Sequence, residues 1–245
     1  MSSGDGRGDV LEPARRGVRA VYRAWEELSR DWSSACGPGC SACCTDRVFL
    51  TGLEGALLLQ GLEERRAAHL ESRVVPPEIR PQSTFNQRAR LYQSGAEPPP
   101  EPESAAPAGV CPLLGEDGLC PAYPWRPLAC RVMMSRRACR QGDAAWQEPF
   151  WVELASALFM VVEHLAWGAG GVWARAGLLP EVVAALRGQG GRELLSCEPL
   201  AGIPAPAEHQ ARLQECLRRL FARPVEGRPL GWWLDELRRR RTEPD

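Results

Sequence analysis

Eight of the ten cysteines in this chain fall into two groups, and that grouping constrains the fold more than any other feature. The first is Cys36, Cys40, Cys43 and Cys44, spaced Cys-x3-Cys-x2-Cys-Cys; the second is Cys111, Cys120, Cys130 and Cys139, at intervals of nine, ten and nine residues. What such thiols do depends on their compartment. Met1 to Val10 is polar and glycine-rich, with neither the basic start nor the apolar stretch of a secretory signal. The most apolar run, Pro149 to Trp167, carries Glu153, Glu163 and His164, and so falls short of a clean membrane span. A cytoplasmic, reducing location without membrane attachment is expected. There, clustered cysteines serve as metal ligands or catalytic thiols more often than as disulfides.

Thiolates are soft ligands that suit zinc or iron–sulfur clusters. The Gly-Pro-Gly between Cys36 and Cys40 lets the first loop bend around a small object. Adjacent side chains diverge, so Cys43 and Cys44 are expected to part, three thiolates of the loop facing one centre and the fourth turning toward the second group. The two regions then fold together around one or two centres, with the intervening segment looped out. Zinc ribbons draw close cysteine pairs from two knuckles, and the second group has no close pair. Iron–sulfur clusters accept wider spacing, which makes a cluster the preferred cofactor and zinc the alternative. Arg126, Arg131, Arg136, Arg137 and Arg140 surround Cys130 and Cys139. Of these, Arg126 and Arg131 are candidates to offset a cluster's charge or to hold a small anionic substrate. Cys197 and Cys216 stand apart and read as core or incidental thiols.

Composition narrows the chemistry further. With 30 basic and 31 acidic residues the net charge is −1, so no strong field draws the chain to nucleic acid. Every basic residue is arginine, which excludes a phosphate-loop lysine and a Schiff-base lysine. His69, His164 and His209 are scattered, and His164 reads as a core residue; Glu163-His164 lacks the second histidine of a zinc-protease helix. Trp232-Trp233 is expected to pack against the body, and Arg238 to Arg241 suits a helix C-terminus electrostatically.

Periodicity predicts a mainly α protein. Residues 1–13 are expected to be a disordered tail. A first helix runs from Ala14 to Trp32, with Val18, Val21, Trp25, Leu28 and Trp32 on one face. Thr51-Gly-Leu-Glu54 has capping-box spacing and opens a second helix reaching Ser72; a third spans Glu78 to Gln93. Residues 95–109, rich in proline and glutamate, read as a flexible loop. Trp146 to Trp167 reads as a long buried helix ended by Gly168-Ala-Gly-Gly171, and helical patterns broken by Pro and Gly continue to Arg241. The expected organisation is a cysteine-cluster domain at 14–140, with a C-terminal helical region at 141–245 packed on it.

The cysteine pattern and its surroundings resemble the YkgJ-type CxxxCxxCC cysteine-cluster family. The resemblance covers roughly residues 36–140. It rests on the first loop and on Cys111-Pro-Leu-Leu, Gly118-Leu-Cys120 and Tyr123-Pro-Trp-Arg126-Pro127-Leu-Ala-Cys130-Arg131, with Cys139 where a further cysteine is often found. It implies a zinc- or iron-chelating module, of a kind also carried by flagellin lysine N-methylases, without implying a particular reaction. Three functions are open at this point. One is a redox or catalytic metalloprotein acting on a protein or small anionic substrate; another is a zinc-stapled, non-enzymatic interaction module. The third is an S-adenosylmethionine-dependent enzyme of radical or methyl-transfer type, because Cys36-x3-Cys40-x2-Cys43 is also the radical-enzyme spacing. Against that last reading, Ala42 stands where an aromatic residue usually precedes the third cysteine, and alternating β/α patterning is missing.

Overall fold

The computed structural model describes residues 8–37, 39–73, 75, 79–100, 108–140, 145–190 and 193–242. Among the described residues the chain is mainly helical, and the organising element is one long helix buried on nearly all sides. That helix, α6 (Pro149–Ala169), opens with Pro149 at a position that needs no N–H donor, and buries Phe150, Trp151, Leu154, Leu158, Val161 and Leu165. A helix apolar all round belongs inside a core. By length and composition alone it could cross a membrane, but here its faces are taken up by α1 (Gly8–Leu28), α4 (Phe85–Gln93), α8 (Ala207–Phe221) and α9 (Leu230–Thr242). Trp25 of α1 meets Trp151 edge-on at 5.8 Å, and Trp32 lies 5.5 Å from the same ring.

Polar pins hold this core in register. The Glu163 carboxylate accepts hydrogen bonds from Thr84 Oγ1 (2.6 Å), Asn86 N (2.8 Å) and Glu198 N (2.8 Å), tying α6 to the start of α4. His164 Nδ1 accepts from Leu200 N and its Nε2–H donates to the Leu234 carbonyl, both at 2.8 Å. It is thus a satisfied core histidine. Trp233 is buried and donates to the Val225 carbonyl at 2.7 Å, whereas Trp232 stays partly exposed beside Arg228. Of the C-terminal arginines, Arg238 donates to the Leu200 carbonyl and Arg241 to that of Trp167, while Arg239 and Arg240 pair with Glu236.

A second, smaller core lies beneath a three-stranded antiparallel sheet of order β1 (Phe49–Thr51), β2 (Arg175–Leu178), β3 (Leu195–Ser196), with Leu50 opposite Gly177. Leu50, Leu58, Leu70, Leu113 and Val182 fill it, from β1, α2 (Gly52–Leu59), α3 (Glu64–Glu71), α7 (Leu179–Leu186) and the second cysteine region. Cys111 and Cys120 pack against this core. A short hairpin, β4 (Pro224–Val225) with β5 (Arg228–Pro229), precedes α9.

Several boundaries differ from those expected. The expected tail at 1–13 is helical from Gly8, because Val10 and Ala14 extend the buried stripe of α1 upstream; residues 1–7 lie outside the described residues. Downstream α1 stops at Leu28, and Ser29 to Trp32 form a turn that still buries Trp32. The helix expected from Thr51 to Ser72 is two helices. It breaks at Gln60–Glu63, where Gly61 lets the Trp125 ring come within 2.0 Å of the place a Cβ would occupy. The helix expected from Glu78 begins only at Phe85, where Thr84 and Gln87 form a capping box; Glu78 itself lies outside the described residues. The long helix starts at Pro149 rather than Trp146, and Trp146 is exposed. Of the loop at 95–109, residues 101–107 lie outside the described residues, while Gly109 is firmly paired, as described next.

Candidate metal centre

The two cysteine regions are joined by backbone pairing. Thr45 bridges Val110 in antiparallel fashion, Cys111 N donates to the Cys44 carbonyl at 2.9 Å, and Asp46 N donates to the Gly109 carbonyl at 3.0 Å. Asp46 Oδ1 returns the contact by accepting from Gly109 N at 3.0 Å. Cys44 and Cys111, 67 positions apart in the sequence, thus become neighbours.

The second region supplies its thiols from tight turns. Between Cys111 and Cys120 the chain reverses through Gly115 N to the Leu119 carbonyl (2.8 Å), with Gly118 at φ +75°, a conformation that favours glycine. Each of these cysteines is followed by a proline that presets the turn. Leu114 N donates to the Cys111 carbonyl and Tyr123 N to that of Cys120, both at 3.0 Å; the backbone amides of Leu113 and Leu114 pull the Cys111 thiol down, and that of Ala122 the Cys120 thiol, against the larger effect of burial. Backbone amides that act in this way stabilise a thiolate. After a 3-10 turn at Tyr123–Trp125, Cys130 sits on α5 (Leu128–Val132).

That short helix is held by buried groups. Glu54, the capping-box acid of α2, accepts from Thr51 N (3.0 Å) and Tyr22 Oη (2.9 Å), and also from Leu128 N (2.8 Å) at the start of α5. Burial pushes the Glu54 carboxyl above its usual range, and burial together with Glu54 pushes the Tyr22 phenol up. Trp25 Nε1 donates to the Arg131 carbonyl at 3.0 Å. The Arg131 guanidinium donates to the Arg126 and Pro124 carbonyls, both at 2.9 Å, and pairs with Glu26. Arg131, expected to bind a cofactor or anion, therefore has its donors committed to the backbone around Cys130; it holds the loop.

Four thiols form an inner set. Cys44, Cys111, Cys120 and Cys130 are near enough for the charge on one to act on another. Burial raises the Cys111 and Cys120 thiols, and it pushes Cys130 up to about 12, with Cys111 and Cys120 adding to the effect. Cys130 is nevertheless exposed to solvent. Arg126 and Arg66 act in the opposite direction on Cys120. Cys44 acts on Cys111, Cys130 and Cys120, and Cys43 also acts on Cys130, so both adjacent thiols lie within reach of the second group. The turn in which Cys44 N donates to the Ser41 carbonyl curls the backbone here, and the two adjacent thiols act on each other, Cys43 being raised and Cys44 lowered.

The other thiols lie along the 133–139 segment. Cys36 Sγ accepts from Ser135 N at 3.3 Å, Cys43 Sγ–H points to the Met133 carbonyl at 3.9 Å, and Cys139 Sγ–H to that of Arg137 at 3.5 Å. Cys36 and Cys40 are exposed, and Gly39, at φ +80°, turns the loop tip toward Gly118. Cys197 is buried and Cys216 half-buried, both away from the two groups. Among the described residues no three Cys, His, Asp or Glu side chains stand within one metal ion's reach, so the thiols are neighbours rather than a closed coordination shell. The donor set nonetheless fits a thiophilic metal in its chemistry: four soft ligands, two carrying N–H support, beside two guanidinium groups.

Glu54, Tyr22 and Ser135 were missed as parts of this region. Glu54 carried a signal, its capping-box position, but its reach to Leu128 depends on α5 folding back. No protein-family model matches the chain, and neither a curated protein nor a solved structure is significantly similar to it.

Proposed function

We propose that this chain is a cysteine-ligated metal-binding protein of the CxxxCxxCC type that works in a reducing, cytoplasmic environment. In this reading it carries an iron–sulfur cluster with a redox or catalytic role. Cys44, Cys111, Cys120 and Cys130 would hold the inner centre, with Cys36, Cys40, Cys43 and Cys139 as the outer thiols. The observation that carries the reading is the pairing of two distant stretches, Cys111 N on the Cys44 carbonyl, which brings Cys44, Cys111, Cys120 and Cys130 within electrostatic reach of one another, with backbone amides that favour the thiolate at Cys111 and Cys120. A fold gains little by gathering polar thiols in this way unless their charged forms are used.

When bound, such a cluster supplies one-electron transfer, or Lewis acidity at an iron left open. The chain's own part is positional. Glu54 and Arg131 fix the Cys130 helix, the two Cys-Pro turns hold their sulfurs with N–H support, and the Thr45–Val110 bridge keeps both regions in register. The same N–H-supported thiolate set suits zinc, which would make the region a structural staple for an interaction module.

Anaerobic purification followed by quantitation of iron, zinc and acid-labile sulfide separates these readings. Matching iron and sulfide with a broad visible absorption band supports the cluster. A colourless protein with stoichiometric zinc replaces it by the staple. A chain that holds no metal after reconstitution with iron and sulfide or with zinc overturns both. Cys120→Ser or Cys130→Ser variants with full metal content would remove those residues from the ligand set.

A further inference from the structure

We infer that Arg126 is the positioning cation of the inner thiol centre, holding two N–H donors ready for the negative charge that appears when metal binds. The inference rests on the metal-binding reading above and adds to it a residue that controls metal affinity. Arg126 Nε and Nη1 are buried and have no hydrogen-bond partner among the described residues. Buried guanidinium donors are costly to leave unpaired, so an orphaned pair beside a ligand set marks a partner that arrives later. The guanidinium carbon lies 3.6 Å above the centre of the exposed Tyr123 ring, which fixes its plane. Its backbone is fixed as well, by Pro127 on one side and by the 2.9 Å bond from Arg131 Nε to its carbonyl.

The surroundings identify the missing partner. Burial and the neighbouring Arg131 work against the Arg126 charge, and Glu26, Cys130 and Cys120 support it. Glu26 is already paired with Arg131, which leaves the sulfurs. Zinc held by all four inner thiols, once they had closed on it, would load as Zn2+ + 4 R–SH → [Zn(SR)4]2− + 4 H+, in which four Zn–S bonds replace four S–H bonds and the protons leave to solvent. The thiols would then pass from neutral to a site of net charge −2, and a fixed cation with free donors would stabilise only the loaded form. Arg131, four residues from Pro127 and part of the same Arg-Pro-x-x-Cys-Arg stretch, differs in that each of its three nitrogens already holds a carbonyl or Glu26.

The test is zinc affinity by chelator competition at fixed pH, on wild type, Arg126→Met and Arg126→Lys, alongside thermal melting of each metal-free chain. Arg126→Met is expected to keep the wild-type metal stoichiometry and melt no lower than wild type when metal-free, yet to bind zinc about tenfold more weakly or worse. Arg126→Lys, which restores the charge without the planar pair of donors, is expected to recover part of that loss. Equal affinity in wild type and Arg126→Met overturns the role of Arg126 while leaving the metal reading intact. A lower metal-free melting temperature with unchanged affinity in Arg126→Lys assigns Arg126 a purely structural role and likewise overturns it. A wild-type chain that binds no zinc and no cluster overturns both.

Discussion

Two adjacent residues of α6 respond to pH in opposite directions. Burial raises Glu163 from 4.5 to about 7, against the pull of its three donors, and lowers His164 from 6.5 to about 4. A carboxyl that holds its proton more tightly when folded contributes stability below pH 4.5, and that contribution is lost as pH rises through 7. A histidine kept neutral by burial contributes above pH 6.5, and its contribution is lost as pH falls toward 4. Between about pH 4.5 and 6.5 the two slopes, each ~1.4 kcal/mol per pH unit, oppose each other. Urea unfolding across that range should therefore separate the variants. Glu163→Gln, less stable at every pH because Asn86 N then faces an amide donor, loses further stability relative to wild type on acidification. His164→Gln loses stability relative to wild type as pH rises. Profiles parallel to wild type in both variants would show that neither group titrates with folding. That His164 belongs to the core was legible from its apolar context. That Glu163 would bind Thr84, Asn86 and Glu198 was not, since those partners come from α4 and from the segment after β3.

At the scale of elements, the passage from β1 into α2 is the most tightly specified part of the chain. Thr51 ends the strand and caps the helix through Glu54, and both are buried. A Cβ at Gly52 would lie 2.2 Å from the Val172 carbonyl oxygen and 2.9 Å from Trp173 Cα, backbone atoms with little freedom to withdraw. Gly52→Ala should cost about 1–3 kcal/mol in chemical denaturation. Gly37→Ala, in the first cysteine loop with nothing within 4 Å of its Cβ, should stay within about 0.5 kcal/mol of wild type. Equal stabilities for the two would sink this account of packing. The start of α2 was readable from Thr51-Gly-Leu-Glu54, because a cap is a local device. The end of α2 was not, because the break at Gly61 answers to Trp125, which arrives from 64 positions downstream.

At the scale of the whole molecule, two larger cores divide the labour among the described residues, beside a small third cluster in which Ala89 of α4 meets Met160 and Ala201. The larger, around α6, takes in residues of α1, α2, α5, α8 and α9 and none of the eight grouped cysteines, although Leu128 and Val132 of the Cys130 helix belong to it. The smaller, under the three-stranded sheet, carries Cys111 and Cys120 on its edge. On the metal-binding reading proposed above, stripping metal with a chelator is expected to lower the melting temperature while leaving far-ultraviolet helicity at room temperature nearly unchanged. Loss of most helicity on chelation would mean that the α6 core cannot stand without the thiol region. The helical class, the amphipathic face of α1 and the grouping of the cysteines were all written in local sequence, since periodicity, caps and spacing act within a few residues. Which thiols become neighbours, which arginine is spent on carbonyls and which keeps its donors, and how Glu54 reaches α5 were decided only by tertiary structure. Each depends on groups tens of residues apart being buried together, where hydrogen-bonding capacity and charge must be met by whatever the fold brings near.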